Sequence, residues 1–271
     1  MRDASPKRRH NAQVVGDHGP WVVLAPGFGT TQAAWRHVVP RLRDRFRVLL
    51  FDPVGFAPDQ AEHYDHARYA TLDAYAEDVE RLLRVMGIGS CGFVGHSLSG
   101  MTGLLLAERA PGLFDRLVLL ASSACYLDKD GYRGGFSRDG KEAFLDAIIR
   151  DYKAWIADLA PRMTARPPDD GKAREFADCL RAMRSDTAFS IALMVFQTDL
   201  RDRLHRLRVP CTILQTRDDP AIPLEAARFL HARLPDSVLE ILDTEGHLPH
   251  LTAPDLVADA LLRHLGAAGT G

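Results

Sequence analysis

One serine dominates the chemistry open to this chain. Ser97 stands in Gly95-His96-Ser97-Leu98-Ser99-Gly100, after the apolar run Cys91-Gly92-Phe93-Val94 and before a helix-compatible stretch, 101–109. A serine hydroxyl is a weak nucleophile until a sharp turn exposes it and a neighbouring base takes its proton. Strand, tight turn and helix in that order make a nucleophile elbow, which admits only small residues beside the serine. The regular pattern is G-x-S-x-G; here Ser99 fills the last place and the glycine slips to Gly100. Serine is small enough to keep the turn sterically open. Small residues around a serine often make no more than a turn, but the flanking strand and helix favour the nucleophilic reading. The chemistry implied is acyl transfer to Ser97.

The base and its orienting carboxylate are sought at later strand ends. The run 211–215 is followed by Thr216-Arg217-Asp218-Asp219-Pro220-Ala221-Ile222-Pro223, and the run 238–242 by Asp243-Thr244-Glu245-Gly246-His247-Leu248-Pro249-His250. Open α/β sheets build their sites at such ends, and α/β hydrolases place nucleophile, acid and histidine in this chain order. Turn chemistry and the spacing to Pro223 favour Asp219 over Asp218, which reads as a cap of the turn. Gly246 permits a tight turn and favours His247 over His250, which reads as a supporting or surface histidine. Asp243 reads as a strand end facing solvent, and His96 as a packing neighbour pointed away from the hydroxyl. An imidazole, with an ordinary pKa of about 6.5, can take the serine proton and return it, and a carboxylate fixes its tautomer. Two backbone N–H groups would face the developing oxyanion. One belongs to Leu98, after the nucleophile, and the other to Phe28 within Gly27-Phe28-Gly29.

Elements that could carry these residues alternate along the chain. Short apolar runs at 21–25, 46–51, 91–94, 117–121, 211–215 and 238–242 read as strands, and helical patterns at 33–42, 72–86, 101–109, 224–234 and 254–265 lie among them. Continuous apolar strands separated by helices imply a parallel sheet covered on both faces. Between 127 and 196 the pattern turns helical, at 142–149, 152–159, 173–183 and 187–196, with breaks expected at Pro161, Pro167-Pro168 and Ser185-Asp186. The expected organisation is an α/β core from 1–126 and 199–271, with a helical cap, 127–198, inserted over the site.

Bulk properties narrow the function classes. Lys and Arg number 34 against 36 Asp and Glu, a net charge of −2 that gives no general attraction to nucleic acid or an anionic membrane. The basic cluster Lys7-Arg8-Arg9-His10 is short and reads as a solvated arm. Cys91, Cys125, Cys179 and Cys211 show no C-x-x-C spacing, which argues against a zinc site or a disulfide framework and suits a reducing cytoplasm. His63-Tyr64-Asp65-His66 has ligand-type residues but reads as a polar loop, and no metal or cofactor is expected. The polar start Met1-Arg2-Asp3-Ala4-Ser5-Pro6 lacks the apolar run of a signal peptide, and no stretch suits a membrane span. A cytoplasmic location is expected.

The assembled segments resemble one family. Gly27-Phe28-Gly29-Thr30-Thr31-Gln32 with Trp35, Arg68-Tyr69-Ala70-Thr71-Leu72-Asp73 with Tyr75, the elbow 93–101, and Tyr132-Arg133-Gly134-Gly135-Phe136 carry part of the likeness. Phe196-Gln197-Thr198-Asp199-Leu200-Arg201, Val209-Pro210-Cys211 and 244–250 carry the rest. They are similar to the α/β-hydrolase subgroup that contains the bacterial stress regulator RsbQ and the plant strigolactone and karrikin receptors, where Ser99 in the elbow is an ordinary variant. The resemblance implies an α/β-hydrolase fold, with a mostly parallel central sheet flanked by helices and a four-helix, V-shaped cap. It implies a triad of Ser97, Asp219 and His247, oxyanion donors at Phe28 and Leu98, and a pocket lined by Phe28, Tyr126, Phe136, Trp155, Phe176 and Phe196. The activity implied is cofactor-free hydrolysis of a small, largely apolar ester or lactone. The alternative implied is a sensor that signals through the lid to a partner, such as a PP2C-type phosphatase, with little or no turnover. A binding-only module is disfavoured by the complete Ser97, Asp219 and His247 set. Departures from the family pattern fall at Pro26-Gly27, where His-Gly is common, at Tyr126, where phenylalanine is frequent, and at Leu159, where an aromatic is frequent.

Overall fold

The computed structural model describes residues 6–266, so most of the polar N-terminal stretch on which the signal-peptide expectation rests lies outside the described residues. Seven strands form one sheet: β1 (Gln13–Val15), β2 (Trp21–Ala25), β3 (Arg47–Leu50), β4 (Cys91–His96), β5 (Phe114–Leu120), β6 (Cys211–Asp218) and β7 (Ser237–Glu245). Their order is β1-β3-β2-β4-β5-β6-β7. β1 pairs antiparallel with β3, Gln13 opposite Leu50, and every other pairing is parallel. Six strands match the apolar runs of the sequence. β1 was not expected, because three residues at a sheet edge carry too short a pattern to read.

The inner parallel strands are apolar on both sides because both faces are covered, whereas β7, at the sheet edge, is mostly half-buried or exposed. Val23, Leu49, Phe93, Leu117 and Ile213 enter one core, while Val22, Leu24, Val48, Val94, Val118 and Leu214 enter the other. That division is the two-residue side-chain alternation of a strand. The helices are α1 (Pro6–Arg9), α2 (Val39–Leu42), α3 (Asp73–Val85), α4 (Leu98–Arg109), α5 (Arg138–Arg150), α6 (Tyr152–Thr164), α7 (Gly171–Ala182), α8 (Ser185–Gln197), α9 (Leu224–Arg233), α10 (Pro249–Thr252) and α11 (Pro254–Leu265). α2 and α11 cover the second face; α3, α4 and α9 cover the first.

Helices α5 to α8 lie between β5 and β6, with α6 beside α7 and α5 beside α6 and α8. Three of them begin on side-chain caps. Ser137 accepts from the Gly140 N–H, Asp151 from that of Ala154 and Asp170 from that of Lys172.

Several local expectations change. The helix expected over 33–42 is a 3-10 turn, Gln32–Trp35, followed by the short α2, since Pro40 lacks the N–H that a continuous ladder requires. Pro161 does not end its helix, which runs on to Thr164 and stops at Ala165 in a left-handed conformation. The break expected at Ser185-Asp186 falls just before it, at Met183-Arg184, and Ser185-Asp186 opens α8, with Asp186 accepting from the Thr187 N–H. The basic cluster is not simply a solvated arm. His10 is buried and bonded to the Asp52 carbonyl at 3.0 Å, and Arg9 donates to the Tyr69 hydroxyl and the His63 carbonyl. Among the described residues no helix is long and apolar enough to cross a membrane.

Candidate active site

Ser97 joins β4 to α4 with φ 54° and ψ −119°. This is a region that L-residues rarely occupy, at a cost of about 1–3 kcal/mol that the surrounding structure must offset. The offsets are visible. The Ser97 N–H donates to the Leu120 carbonyl at 3.0 Å, and Ser122 Oγ donates to the Ser97 carbonyl at 2.7 Å. The small neighbours are obligatory. A Cβ on Gly95 would stand 2.5 Å from the Gly100 nitrogen, and one on Gly100 would stand 2.3 Å from Ser122 Oγ.

The elbow presents Ser97 Oγ to His247 Nε2 at 2.8 Å. On the far side of the ring, His247 Nδ1 lies 2.9 Å and 3.1 Å from the two carboxylate oxygens of Asp219. Asp219 is held at the end of β6 by the N–H groups of Ala221 (2.8 Å) and Ile222 (3.1 Å) and by Gln215 Nε2 (3.1 Å). Its side chain is fully buried and that of His247 nearly so. With the carboxylate on Nδ1, that nitrogen carries the proton, and Nε2 is free to accept from Ser97. Asp218 and Asp243 stay outside: Asp243 is exposed and ion-paired with Arg217.

The loop after β2 closes against the elbow. A Cβ on Gly27 would fall 2.3 Å from His96 Nδ1 and 3.0 Å from Ser97 Cβ, so only glycine lets the backbone come this near. Ser99 ties the two together, its Oγ donating to the Pro26 carbonyl at 2.5 Å. The serine in the slipped position of the motif is therefore a fastener between the loops. Leu98 opens α4, where the N–H has no intrahelical acceptor and points out of the helix end.

Above Ser97 lies an apolar cavity. Phe28, Phe136, Phe176 and Phe196 line it together with Tyr126. Trp155 does not reach it. That ring stands behind the wall, edge-on to Phe144 at 5.4 Å and stacked on Tyr152. Phe144 takes the wall position instead, packing on Phe196 and Phe136, with Leu159, Met163, Ala192, Val195 and Ala221 filling the remainder. Only Ser97, His247 and Tyr126 bring a side-chain oxygen or nitrogen to this lining. Among the described residues no group of three or more His, Cys, Asp or Glu side chains could hold a metal ion, and the four cysteines are unpaired.

The family model described as the alpha/beta hydrolase fold matches residues 20–254. The chain belongs to the α/β-hydrolase family. It is 40% identical over 257 residues to "Karrikin insensitive 2 receptor CA" of Petunia hybrida, covering 94% of this chain and 95% of that protein. A strigolactone esterase of Pisum sativum is 38% identical over 253 residues, covering 93% and 94%. Among solved structures, a hydrolase from Oleispira antarctica superposes with a TM-score of 0.92 at 27% identity, covering 97% of this chain and 96% of that one.

Two features of this α/β hydrolase escaped the sequence. The first is a buried cluster of tilted aromatic rings behind His247. His96 Nε2 donates to the His247 carbonyl at 2.7 Å, and its ring lies 4.3 Å from that of His250, which lies 4.5 Å from Trp35. His250 is therefore no surface residue; it is fully buried, and burial lowers its pKa to about 3. Burial also carries His96 well below the ordinary histidine value, so both rings are neutral. The second is a direct tie from α6 to the histidine loop. The His247 N–H donates to the Met163 carbonyl at 2.6 Å, and Gly246, at φ +90°, leaves no room for a Cβ against Thr164. Helical periodicity shows which face of α6 is apolar; it cannot show which backbone carbonyl meets a loop some eighty residues later.

Proposed function

We propose that this α/β hydrolase is a cofactor-free serine esterase acting on small, largely apolar esters or lactones. The observation that carries this reading is the unbroken hydrogen-bonded line Ser97–His247–Asp219 opening onto a phenyl-walled cavity. In the proposed reaction His247 Nε2 takes the Ser97 proton as Oγ bonds to the substrate carbonyl carbon, and the carbonyl electron pair moves onto its oxygen. That oxygen is received by the N–H groups of Phe28 and Leu98. The bond to the leaving oxygen breaks as His247 returns the proton to it. Water, activated by the same ring, then frees the acid from the acyl-enzyme. Asp219 holds the tautomer and stabilises the imidazolium. The phenyl wall excludes water and selects apolar acyl and alcohol groups. The helices of 127–198 act as a lid over a core whose described part is 6–126 and 199–266.

Hydrolysis of p-nitrophenyl acetate by the wild type and Ser97→Ala tests the reading, with the acyl adduct followed by intact mass. The variant is expected to lose at least about 10⁴-fold in kcat/KM. Wild-type turnover in S97A would refute it.

A second reading, ligand sensing, is favoured by relatives that carry the name of receptors. In that case occupancy or turnover is relayed through α5 to α8 to a protein partner, for which the sequence resemblance points to a PP2C-type phosphatase. Lid-surface variants that lose partner binding while keeping full esterase turnover would separate this role from the first.

A further inference from the structure

We propose that Tyr126 is a further catalytic residue, a hydrogen-bond donor that holds Ser97 Oγ at rest and passes to the leaving-group oxygen as the acyl-enzyme forms. The inference rests on the esterase reading above and adds to it the group that assists departure. Tyr126 Oη lies 2.9 Å from Ser97 Oγ, on the same atom that meets His247 Nε2 at 2.8 Å.

Counting protons settles the direction of that bond. Both oxygens of Asp219 face His247 Nδ1, so Nδ1 bears the hydrogen and Nε2 accepts. The one hydrogen of Ser97 goes to Nε2. The Tyr126 hydroxyl therefore donates to Ser97 Oγ. Tyr126 is buried, and desolvation pushes its pKa above the ordinary phenol value, so it stays a donor and does not compete with His247 as a base. Its place is fixed by the chain around it: the Tyr126 carbonyl accepts from the Phe136 N–H at 3.0 Å, and Cys125 bridges to Asp199.

The reaction takes away the partner of this hydroxyl. Once Oγ bonds to the acyl carbon it becomes an ester oxygen, a weak acceptor. Two other oxygens sit on that carbon. The one derived from the carbonyl is taken by the N–H groups of Phe28 and Leu98. The other is the leaving oxygen, and the rest of the cavity lining offers Tyr126 no side-chain oxygen or nitrogen but those of Ser97 and His247. A buried hydroxyl without an acceptor is costly, so the phenol turns to the leaving oxygen as negative charge grows there. The proton that finally neutralises that oxygen is the one His247 took from Ser97. Tyr126 keeps its own, and no further reactant enters. The assistance matters most for basic alkoxide leaving groups, and least for p-nitrophenolate, which departs unaided.

The test is the dependence of kcat/KM on leaving-group basicity for the wild type and Tyr126→Phe, over p-nitrophenyl, phenyl, trifluoroethyl and ethyl acetates. Thermal melting of both proteins checks that the loss of one oxygen leaves the fold intact. The expected result is a steeper dependence in Y126F, with a loss of about tenfold or less for the p-nitrophenyl ester growing to about a hundredfold for the ethyl ester. Parallel lines would overturn the inference, because a merely structural role lowers every ester equally. A uniform gain would also overturn it, since it would mean that Tyr126 only restrains the nucleophile. A wild type that cleaves none of the series would remove the esterase reading along with this one, whereas parallel lines from an active wild type remove this inference alone.

Discussion

Replacing Asp219 by asparagine exchanges one carboxylate oxygen for an amide nitrogen at almost constant volume, and the surroundings decide which oxygen remains. Oδ1 accepts from the N–H groups of Ala221 and Ile222, so the amide oxygen must stay there. The amide nitrogen then falls at the Oδ2 position, between Gln215 Nε2 and His247 Nδ1. Gln215 can respond by rotating its amide, because its Oε1 is buried without a partner, although it then gives up its bond to the Ile222 carbonyl. His247 Nδ1 then meets the amide nitrogen at its nearer contact, 2.9 Å, and keeps only the longer contact, 3.1 Å, to an Oδ1 already bonded by two N–H groups, so the balance shifts toward the tautomer with its proton on Nε2. An Nε2–H cannot accept from Ser97, and the nucleophile loses its base. The expected loss in kcat/KM is about 10⁴-fold, or about 5.5 kcal/mol of transition-state stabilisation, while global stability changes by only about 1–2 kcal/mol. Initial rates on p-nitrophenyl acetate and thermal melting of Asp219→Asn measure the two quantities. A folded D219N with less than about a tenfold loss would refute the reasoning, since the tautomer would then not govern turnover.

Two further outcomes follow from the same geometry. Gly27→Ala drives a Cβ into His96, which cannot retreat because its Nε2 is bound to the His247 carbonyl, so the loop carrying Phe28 must move away. We expect kcat to fall about 10²–10³-fold with the protein still folded, and an unchanged kcat would show that the loop is no oxyanion donor. His250, held neutral with a pKa of about 3 against an ordinary 6.5, takes up its proton only on unfolding across that range. Stability is therefore complete above the unfolded value. It is lost as pH falls from about 6.5 toward about 3, by up to about 1.4 kcal/mol per pH unit. His250→Phe should flatten the acid side of a urea-midpoint profile, and identical profiles would contradict it.

Much of this molecule was legible before folding, for a physical reason. The inner strands announce themselves because a parallel strand covered on both faces has no polar side, so Val22 to Ala25 and Leu117 to Leu120 are apolar throughout. The elbow announces itself because its sterics are local: the atoms that forbid a side chain at Gly95 lie within five residues. What stayed hidden depended on distant partners. Pro161 reads as a helix end in isolation, yet the helix continues and delivers the Met163 carbonyl to His247. Trp155 and Phe144 share an aromatic identity and neighbouring helices, and only packing decided that Phe144 faces the cavity.

By itself, then, the chain determined its alternation of strand and helix, the tight turn around Ser97, and the small set of acids and histidines at strand ends. Those are consequences of periodicity and short-range sterics, which one stretch of sequence contains in full. Tertiary structure alone decided that both Asp219 oxygens face His247 Nδ1, that His250 is buried, and that the Tyr126 hydroxyl touches Ser97 Oγ. These depend on where a side chain points after segments up to 150 residues apart have come together, at the ångström precision a hydrogen bond requires.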